Sequence, residues 1–167
     1  MSRFFTIIGA GSGQPGDLTR QARDAMANAG LLLSTGRLAE NLSGLGKIET
    51  CQTSKLAETA LAATAERVGI LVSGDAGFFS AAKTLYQKLA AHGEVEVVCG
   101  LSSMQMLCAR LGAAYDDAVW LSLHGRKGSL LGAVSYNRKV FALTGGDQNA
   151  QKLCRSLVDA GLGHVRV

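Results

Sequence analysis

Short apolar runs rich in β-branched residues alternate along the chain with Ala- and Leu-rich stretches of helical length. A strand buried on both faces reads as a continuous apolar run, whereas a helix laid on a sheet repeats its apolar residues at i, i+3 and i+4. The pattern predicts strands over residues 3–8, 31–34, 47–51, 68–73, 95–99, 119–123, 139–144 and 164–167. Helices are predicted over 18–29, 55–67, 79–91, 102–111 and 149–160. Ser54, Ser102 and Asp147 stand where N-caps are wanted, because a short side-chain oxygen can accept from the unpaired amides of a first helical turn. Alternating elements of this kind specify an α/β fold with largely parallel strands. Gly93 and Gly100 bracket the fifth strand and a new helix follows, so two α/β lobes are expected, 1–99 and 100–167. The last predicted strand coincides with the end of the chain, and the second lobe is expected to lack its C-terminal strands.

Composition narrows the function classes. The 167 residues are 47% hydrophobic and 18% charged, enough to bury a core and too apolar for a disordered chain. Twenty-one glycines against one proline point to tight turns and close backbone approaches. The net charge of +4 favours an anionic partner, but the basic residues never run as a block, which suits a polycarboxylate small molecule better than a nucleic acid. Cys51, Cys99, Cys108 and Cys154 form no C-x-x-C pair, so no metal or redox site is signalled and each is expected as a small buried apolar residue. The apolar run from Phe4 to Ile8 meets glycine too soon for a signal peptide or a membrane span, and a cytoplasmic location is expected.

Two glycine corners carry the candidate chemistry. Gly9-Ala10-Gly11-Ser12-Gly13 follows the first strand, where the backbone must turn and a ligand can approach it. A dinucleotide fingerprint would need glycine or alanine at Gln14 and a helix at once, whereas Pro15-Gly16-Asp17 intervenes. A structural corner and a ligand loop both remain open on spacing alone. The second corner, Ser73-Gly74-Asp75-Ala76-Gly77-Phe78-Phe79, follows the fourth strand, and ligands in parallel sheets collect at the carboxyl ends of strands. Asp75 has two readings there, as cap of the next helix and as a carboxylate facing a polar cofactor edge.

The second corner resembles the G-D-P-G-F-F loop of the tetrapyrrole (corrin/porphyrin) methylases, with Ala76 in place of proline. Residues 9–19 are similar to that family's G-x-G-P-G-D-P-x-x-L-T signature, with Ser12 and Gln14 replacing proline and aspartate. Cys99-Gly100-Leu101-Ser102-Ser103 resembles its P-G-I-S-S segment, and Ser122-Leu123-His124-Gly125-Arg126 resembles the S-x-H-G-R segment of the branch that methylates C5 of precorrin-6Y. The resemblance implies an enzyme of cobalamin biosynthesis that uses S-adenosylmethionine, bound in a cleft between two lobes, and releases S-adenosylhomocysteine. It implies cofactor contacts at Ser12, Ser73, Gly74, Asp75, Phe78, Ser102, Ser103, Leu143 and Thr144. Substrate contacts are implied at Gly11, Gly13, Arg37 and Arg126, with Lys127 adding to them, the guanidinium of Arg126 clamping a carboxylate arm. His124 is the candidate base, since its ordinary pKa lies near neutrality. No metal ligand set is implied. A homodimer is expected, with C15 methylation and decarboxylation left to a separate subunit. Three rivals stand beside this reading: a tetrapyrrole methylase acting at another ring position or on uroporphyrinogen, a non-catalytic nucleotide-binding α/β module, and a degenerate relative that binds cofactor without turnover.

Overall fold

The computed structural model describes residues 3–125 and 128–167, in two compact units, Met1–Leu107 and Cys108–Val167. In the first, β1 (Phe4–Gly9), β2 (Leu31–Ser34), β3 (Ile48–Thr50), β4 (Arg67–Val72) and β5 (Glu94–Val98) form one sheet in the order β3-β2-β4-β1-β5. Every pairing in it is parallel. The helices α1 (Arg20–Ala27), α2 (Gly36–Leu42), α3 (Leu56–Ala62) and α4 (Ala82–Leu89) make the crossovers. Sequence dictates which strands lie inside: β1 and β4 are buried from their second residue onward, whereas the edge strands β3 and β5 expose Glu49, Thr50, Glu94 and Glu96. Charge along an edge discourages pairing with another chain.

The two faces of the sheet are separate cores. Phe5, Ile7, Val68, Ile70 and Val72 pack under α3 and α4, through Leu56, Ala60, Leu85 and Leu89. Ile8, Leu32, Leu71 and Val98 pack under α1 and α2, through Ala22, Met26, Leu38 and Leu42. Each such aliphatic side chain stabilises the fold by roughly 1.5–3 kcal/mol on leaving water. Arg3 fastens one end of this layer: its guanidinium donates to the carbonyls of Leu61, Ala60 and Ala63 at 2.7, 2.8 and 2.9 Å. These are orphan acceptors at the C-terminal end of α3, where positive charge is also favoured by the helix dipole.

The helix α5 (Ser103–Leu111) spans the division between the units, which falls after Leu107. The second unit holds β6 (Val119–Ser122) and β7 (Val140–Leu143), paired in parallel, with α6 (Leu130–Tyr136) between them and α7 (Ala150–Asp159) after them. Residues 164–167 form no strand, contrary to their apolar alternation; the Val165 amide instead closes a turn onto the Leu162 carbonyl at 3.0 Å. Two helices that the pattern did not announce, α2 and α6, are both only seven residues long. The caps differ as well. Ser54 lies inside a short 3-10 turn, Thr53–Lys55, ahead of α3. Asn149, not Asp147, caps α7 by accepting from the Lys152 amide at 2.9 Å. Cys108 is buried as expected, but Cys51 and Cys154 are half-buried and Cys99 is exposed; all four are free thiols. Among the described residues no helix is long and apolar enough to cross a membrane.

Candidate functional site

The carboxyl ends of β1, β4 and β5 meet in the first unit, and three glycine corners leave from them. Beyond Gly9 the chain continues as an extra rung on β4, the Ala10 amide donating to the Val72 carbonyl at 2.8 Å. Gly11 and Gly74 then exchange both main-chain bonds, at 3.1 and 2.7 Å, in an isolated antiparallel bridge. Their φ angles of 58° and 74° lie in the left-handed region that L side chains avoid. The two corners singled out in the sequence are thus tied directly to each other.

Gly100, at the end of β5, completes the arrangement. A Cβ on Gly100 would strike the carbonyl oxygens of Gly74 and Gly9, and one on Gly9 would lie 2.5 Å from the Gly100 nitrogen. Three backbones therefore touch where no side chain fits. Asp75 holds the third corner to the second: its Oδ1 accepts from the Gly100 amide at 3.2 Å and its Oδ2 from the Gly77 amide at 3.0 Å. A carboxylate taking two main-chain donors is a charge-assisted fastening, stronger than a neutral pair. The helix-capping role weighed for Asp75 is not the observed one, since α4 begins only at Ala82.

Around this junction the remaining candidates take defined places. The Ser12 hydroxyl donates to Asp17 and accepts from the Gln14 amide at 3.1 Å, closing the first corner on itself. Gly11 and Gly13 are buried, their Cβ positions filled by the Asp17 main chain and the Leu38 side chain. Arg37, at the start of α2, donates to the Ser12 carbonyl at 3.3 Å. Ser102 is buried and forms a reciprocal cap with Gln105: the Gln105 amide donates to Ser102 Oγ at 3.1 Å and the Ser102 amide to Gln105 Oε1 at 2.9 Å. Ser73 and Ser103 are exposed, and Phe78 is half-buried.

The structure leaves room for a ligand's polar edge at this surface. Nothing lies within 4 Å of where a Gly74 Cβ would stand, so the main chain is open there. The amides of Ser12, Asp75 and Leu101, at the tips of the three corners, are engaged by no other group of the described residues. A site of this kind reads a ligand through backbone donors rather than charged side chains.

Other candidates lie in the second unit. Ser122 and Leu143 are register partners at the carboxyl ends of β6 and β7, and the Leu123 amide donates to the Leu143 carbonyl at 2.9 Å. His124 follows, exposed, its ring lying on Gly145 so closely that any Cβ there would enter the imidazole. Gly145 belongs to a tight turn closed by two 3.1 Å bonds with Gln148. His124, Leu143 and Thr144 are thus neighbours at one sheet end. Arg126 and Lys127 lie outside the described residues. Among the described residues no group of His, Cys, Asp and Glu is arranged to hold a metal ion.

Sequence reasoning did not foresee Asp17 as the partner of Ser12 or Gly145 as the seat of His124. Spacing carries no signal for either, since both contacts depend on how a turn closes. Phe79 also escaped it. Its φ of 49° makes it the non-glycine residue in the left-handed region among those described, at a cost of about 1–2 kcal/mol.

Comparison with known proteins adds a family. The sequence pattern of the Tetrapyrrole (Corrin/Porphyrin) Methylases matches residues 5–167. The chain is 29% identical over 172 residues to a precorrin-6Y C(5,15)-methyltransferase [decarboxylating] of Sinorhizobium sp, covering 100% of this chain and 41% of that one. It is 26% identical to a probable cobalt-precorrin-7 C(5)-methyltransferase of Methanocaldococcus jannaschii, covering 93% and 77%. Among solved structures, the precorrin-6Y methylase of Archaeoglobus fulgidus superposes with a TM-score of 0.69 at 14% identity, over 92% of this chain and 79% of that one. The uroporphyrin-III C-methyltransferase of Thermus thermophilus complexed with S-adenosylhomocysteine superposes with a TM-score of 0.68 at 24% identity, over 95% and 77%.

Proposed function

We propose, from the premise that this chain belongs to the tetrapyrrole (corrin/porphyrin) methylase family, that it transfers a methyl group from S-adenosylmethionine to C5 of a corrin precursor, precorrin-6Y or cobalt-precorrin-7. The observation that carries this reading is the junction of Gly9, Gly74 and Gly100, three strand-end corners fastened into one main-chain surface. Names borne by relatives support the acceptor: both the Sinorhizobium and the Methanocaldococcus proteins are named for methylation at C5. The chain spans less than half of the Sinorhizobium enzyme, whose name also covers C15 and decarboxylation.

In this reading the donor lies against the corners, with the free amides of Ser12, Asp75 and Leu101 and the hydroxyls of Ser73 and Ser103 toward its polar parts. Ser12, Gly74, Phe78 and Ser102 shape that surface, and Leu143 and Thr144 serve the adenine. When bound, S-adenosylmethionine supplies a methyl group activated by its sulfonium. Methyl transfer to carbon is an in-line displacement, so the protein's task is to align the partners and exclude water. His124 takes the proton that the ring gives up on C-methylation. Arg126 and Arg37, with Lys127, meet the carboxylate arms of the macrocycle, and Gly11 and Gly13 form the floor beneath it. The enzyme acts in the cytoplasm, where its four free thiols are in keeping with a reducing compartment, and as a homodimer that light scattering would register.

Isothermal titration with S-adenosylhomocysteine tests the donor. Binding with a dissociation constant in the range of about 1 μM to 1 mM is expected, and absence of binding alongside binding of ATP or NAD would turn the assignment to a nucleotide module. The position of a 13C-labelled methyl group in the product tests the acceptor carbon. Label at another ring position, or on uroporphyrinogen, would move the substrate while keeping the reaction.

A further inference from the structure

A second polar surface lies on the edge of the sheet that carries the glycine corners. An open cleft beside the carboxyl ends of β2 and β3 is lined by Thr35, Gly36, Thr50, Cys51, Gln52 and Thr53. The strands bring these residues together: β2 and β3 run in parallel with Ser34 opposite Thr50, and the Cys51 amide donates to the Ser34 carbonyl at 2.9 Å. The side chains of Thr35, Thr50, Gln52 and Thr53 form no hydrogen bond with the described residues. Ser34 is flanked by Thr35 in sequence and by Thr50 across the strands. It is wholly buried, and its Oγ has no partner among the described residues. Leaving a buried hydroxyl unpaired is costly, so this strand end is more polar than the fold itself requires.

The lining selects the kind of guest. Its hydroxyl and amide groups can all donate, and it holds no carboxylate, so it neither repels an anion nor offers the acidic clamp that a ribose or a metal ion takes. Position selects the ligand. In the sheet β2 is the neighbour of β4, whose corner carries Gly74, so at about 4.8 Å per strand the cleft stands one to two strands along the same edge. Arg37, two residues past Thr35, donates to the Ser12 carbonyl and ties the chain just beyond the cleft to the first corner.

We infer that this cleft is a substrate subsite, which takes a carboxylate arm of the macrocycle through the Thr35, Thr50 and Thr53 hydroxyls and the Gln52 amide. This deepens the proposed function and rests on it. The acetate and propionate arms point outward from the rim of the ring, and hydrogen bonds to an ionised acceptor are stronger than neutral ones. Holding one arm off to the side fixes how the ring is turned, and hence which carbon faces the methyl donor.

Two paired variants separate hydroxyl from shape. Thr50→Val with Thr53→Val removes two hydroxyls at nearly constant volume, and Thr50→Ser with Thr53→Ser keeps them; both positions are exposed, so the fold should tolerate either pair. Uroporphyrin, a stable carboxylated porphyrin titrated by its fluorescence, is the probe for the macrocycle, and S-adenosylhomocysteine is the probe for the donor. Expected is a loss of uroporphyrin affinity of about tenfold in the valine pair, with the serine pair within about threefold of the parent and S-adenosylhomocysteine affinity within about twofold throughout. Unchanged uroporphyrin affinity in the valine pair overturns the inference, as does an equal loss in the valine and serine pairs or an equal loss of both ligands. A parent protein that binds S-adenosylhomocysteine but not uroporphyrin overturns it too. If the parent binds neither probe, the proposed function itself fails; if it binds both and the valine pair behaves like it, only the subsite does.

Discussion

The two units solve the same architectural problem to different depths. In the first, parallel strands are covered on both faces, and Phe5, Ile7, Ile8 and Ile70 are wholly buried. In the second, β6 and β7 are also parallel, yet Val119 and Trp120 are exposed and every residue of β7 is half-buried. Its buried apolar side chains among the described residues are Cys108, Leu123, Leu153 and Leu157. Parallel sheets ordinarily need cover on both faces. The contrast teaches where close backbone contact is placed: the junction of Gly9, Gly74 and Gly100 sits beside the deep cores, whereas His124 lies exposed in the shallower unit.

The sharpest way to break this contrast is to add a methyl group at the junction. Gly100→Ala is expected to weaken S-adenosylhomocysteine binding by more than about a hundredfold and to cost about 1–3 kcal/mol of stability, as overpacking does. Gly93→Ala is its control. A Cβ at Gly93 would meet the Arg3 backbone just as tightly, but at the opposite end of the sheet, so stability should fall while binding survives. Calorimetric titration and thermal unfolding of the pair give the answer, and equal binding losses would deny the junction a special role.

Core truncation probes depth. Ile70→Ala should cost about 2–5 kcal/mol, and Leu157→Ala less, because the surroundings of Leu157 can relax. Scanning calorimetry should show the first variant lowering a transition that the second leaves in place. A single transition lowered equally by both would erase the distinction between the units.

Next in size is Asp75→Ala, which strands the Gly77 and Gly100 amides. It should reduce S-adenosylhomocysteine affinity by about tenfold and stability by about 1–3 kcal/mol, with Asp75→Asn intermediate because one acceptor oxygen survives. Unaltered binding in both variants would show that the carboxylate fastening is dispensable.

The smallest effect belongs to the surface of the second unit. Lys139 donates to Asp117 at 2.5 Å and to the Ala114 carbonyl at 2.8 Å, and its hydrogen bond holds the Asp117 carboxyl below the ordinary range. A lowered folded-state pKa contributes stability that is present above the unfolded pKa and lost as pH falls through the folded one. The pair is exposed, so the gain is slight. The melting-temperature difference between the parent and Lys139→Met should be at most a few degrees at pH 7 and should shrink as pH drops below about 4.

Much of the first unit was legible in the sequence because its elements are decided locally. Residues 31–34 form a strand with the predicted bounds, and the continuous apolar runs of β1 and β4 lie at the sheet centre as such runs must. Segment 164–167 was not, since a strand exists only when a neighbour offers its edge. The helices α2 and α6 were hidden by length: α2 starts on Gly36 and gives way to a 3-10 turn at Ser43–Leu45, too brief to repeat its apolar pattern over successive turns. Motif spacing located the corners, yet the bond between Gly11 and Gly74 joins residues far apart in sequence, and nothing in either segment encodes it. Asp75 was singled out as a helix cap or a cofactor contact, while its observed donors, Gly77 and Gly100, emerge only once three strand ends are brought side by side.

At Gly9 and Gly100 the junction is defined by hydrogens standing where methyl groups would be, and at Gly74 by a φ of 74° rather than by crowding. A saturation scan would find Gly9 and Gly100 as hostile to alanine as to tryptophan, because the first carbon added already does the damage. Variation can thus enter the corners through Ser12 or Ser73, but has no gradual path at Gly9 and Gly100.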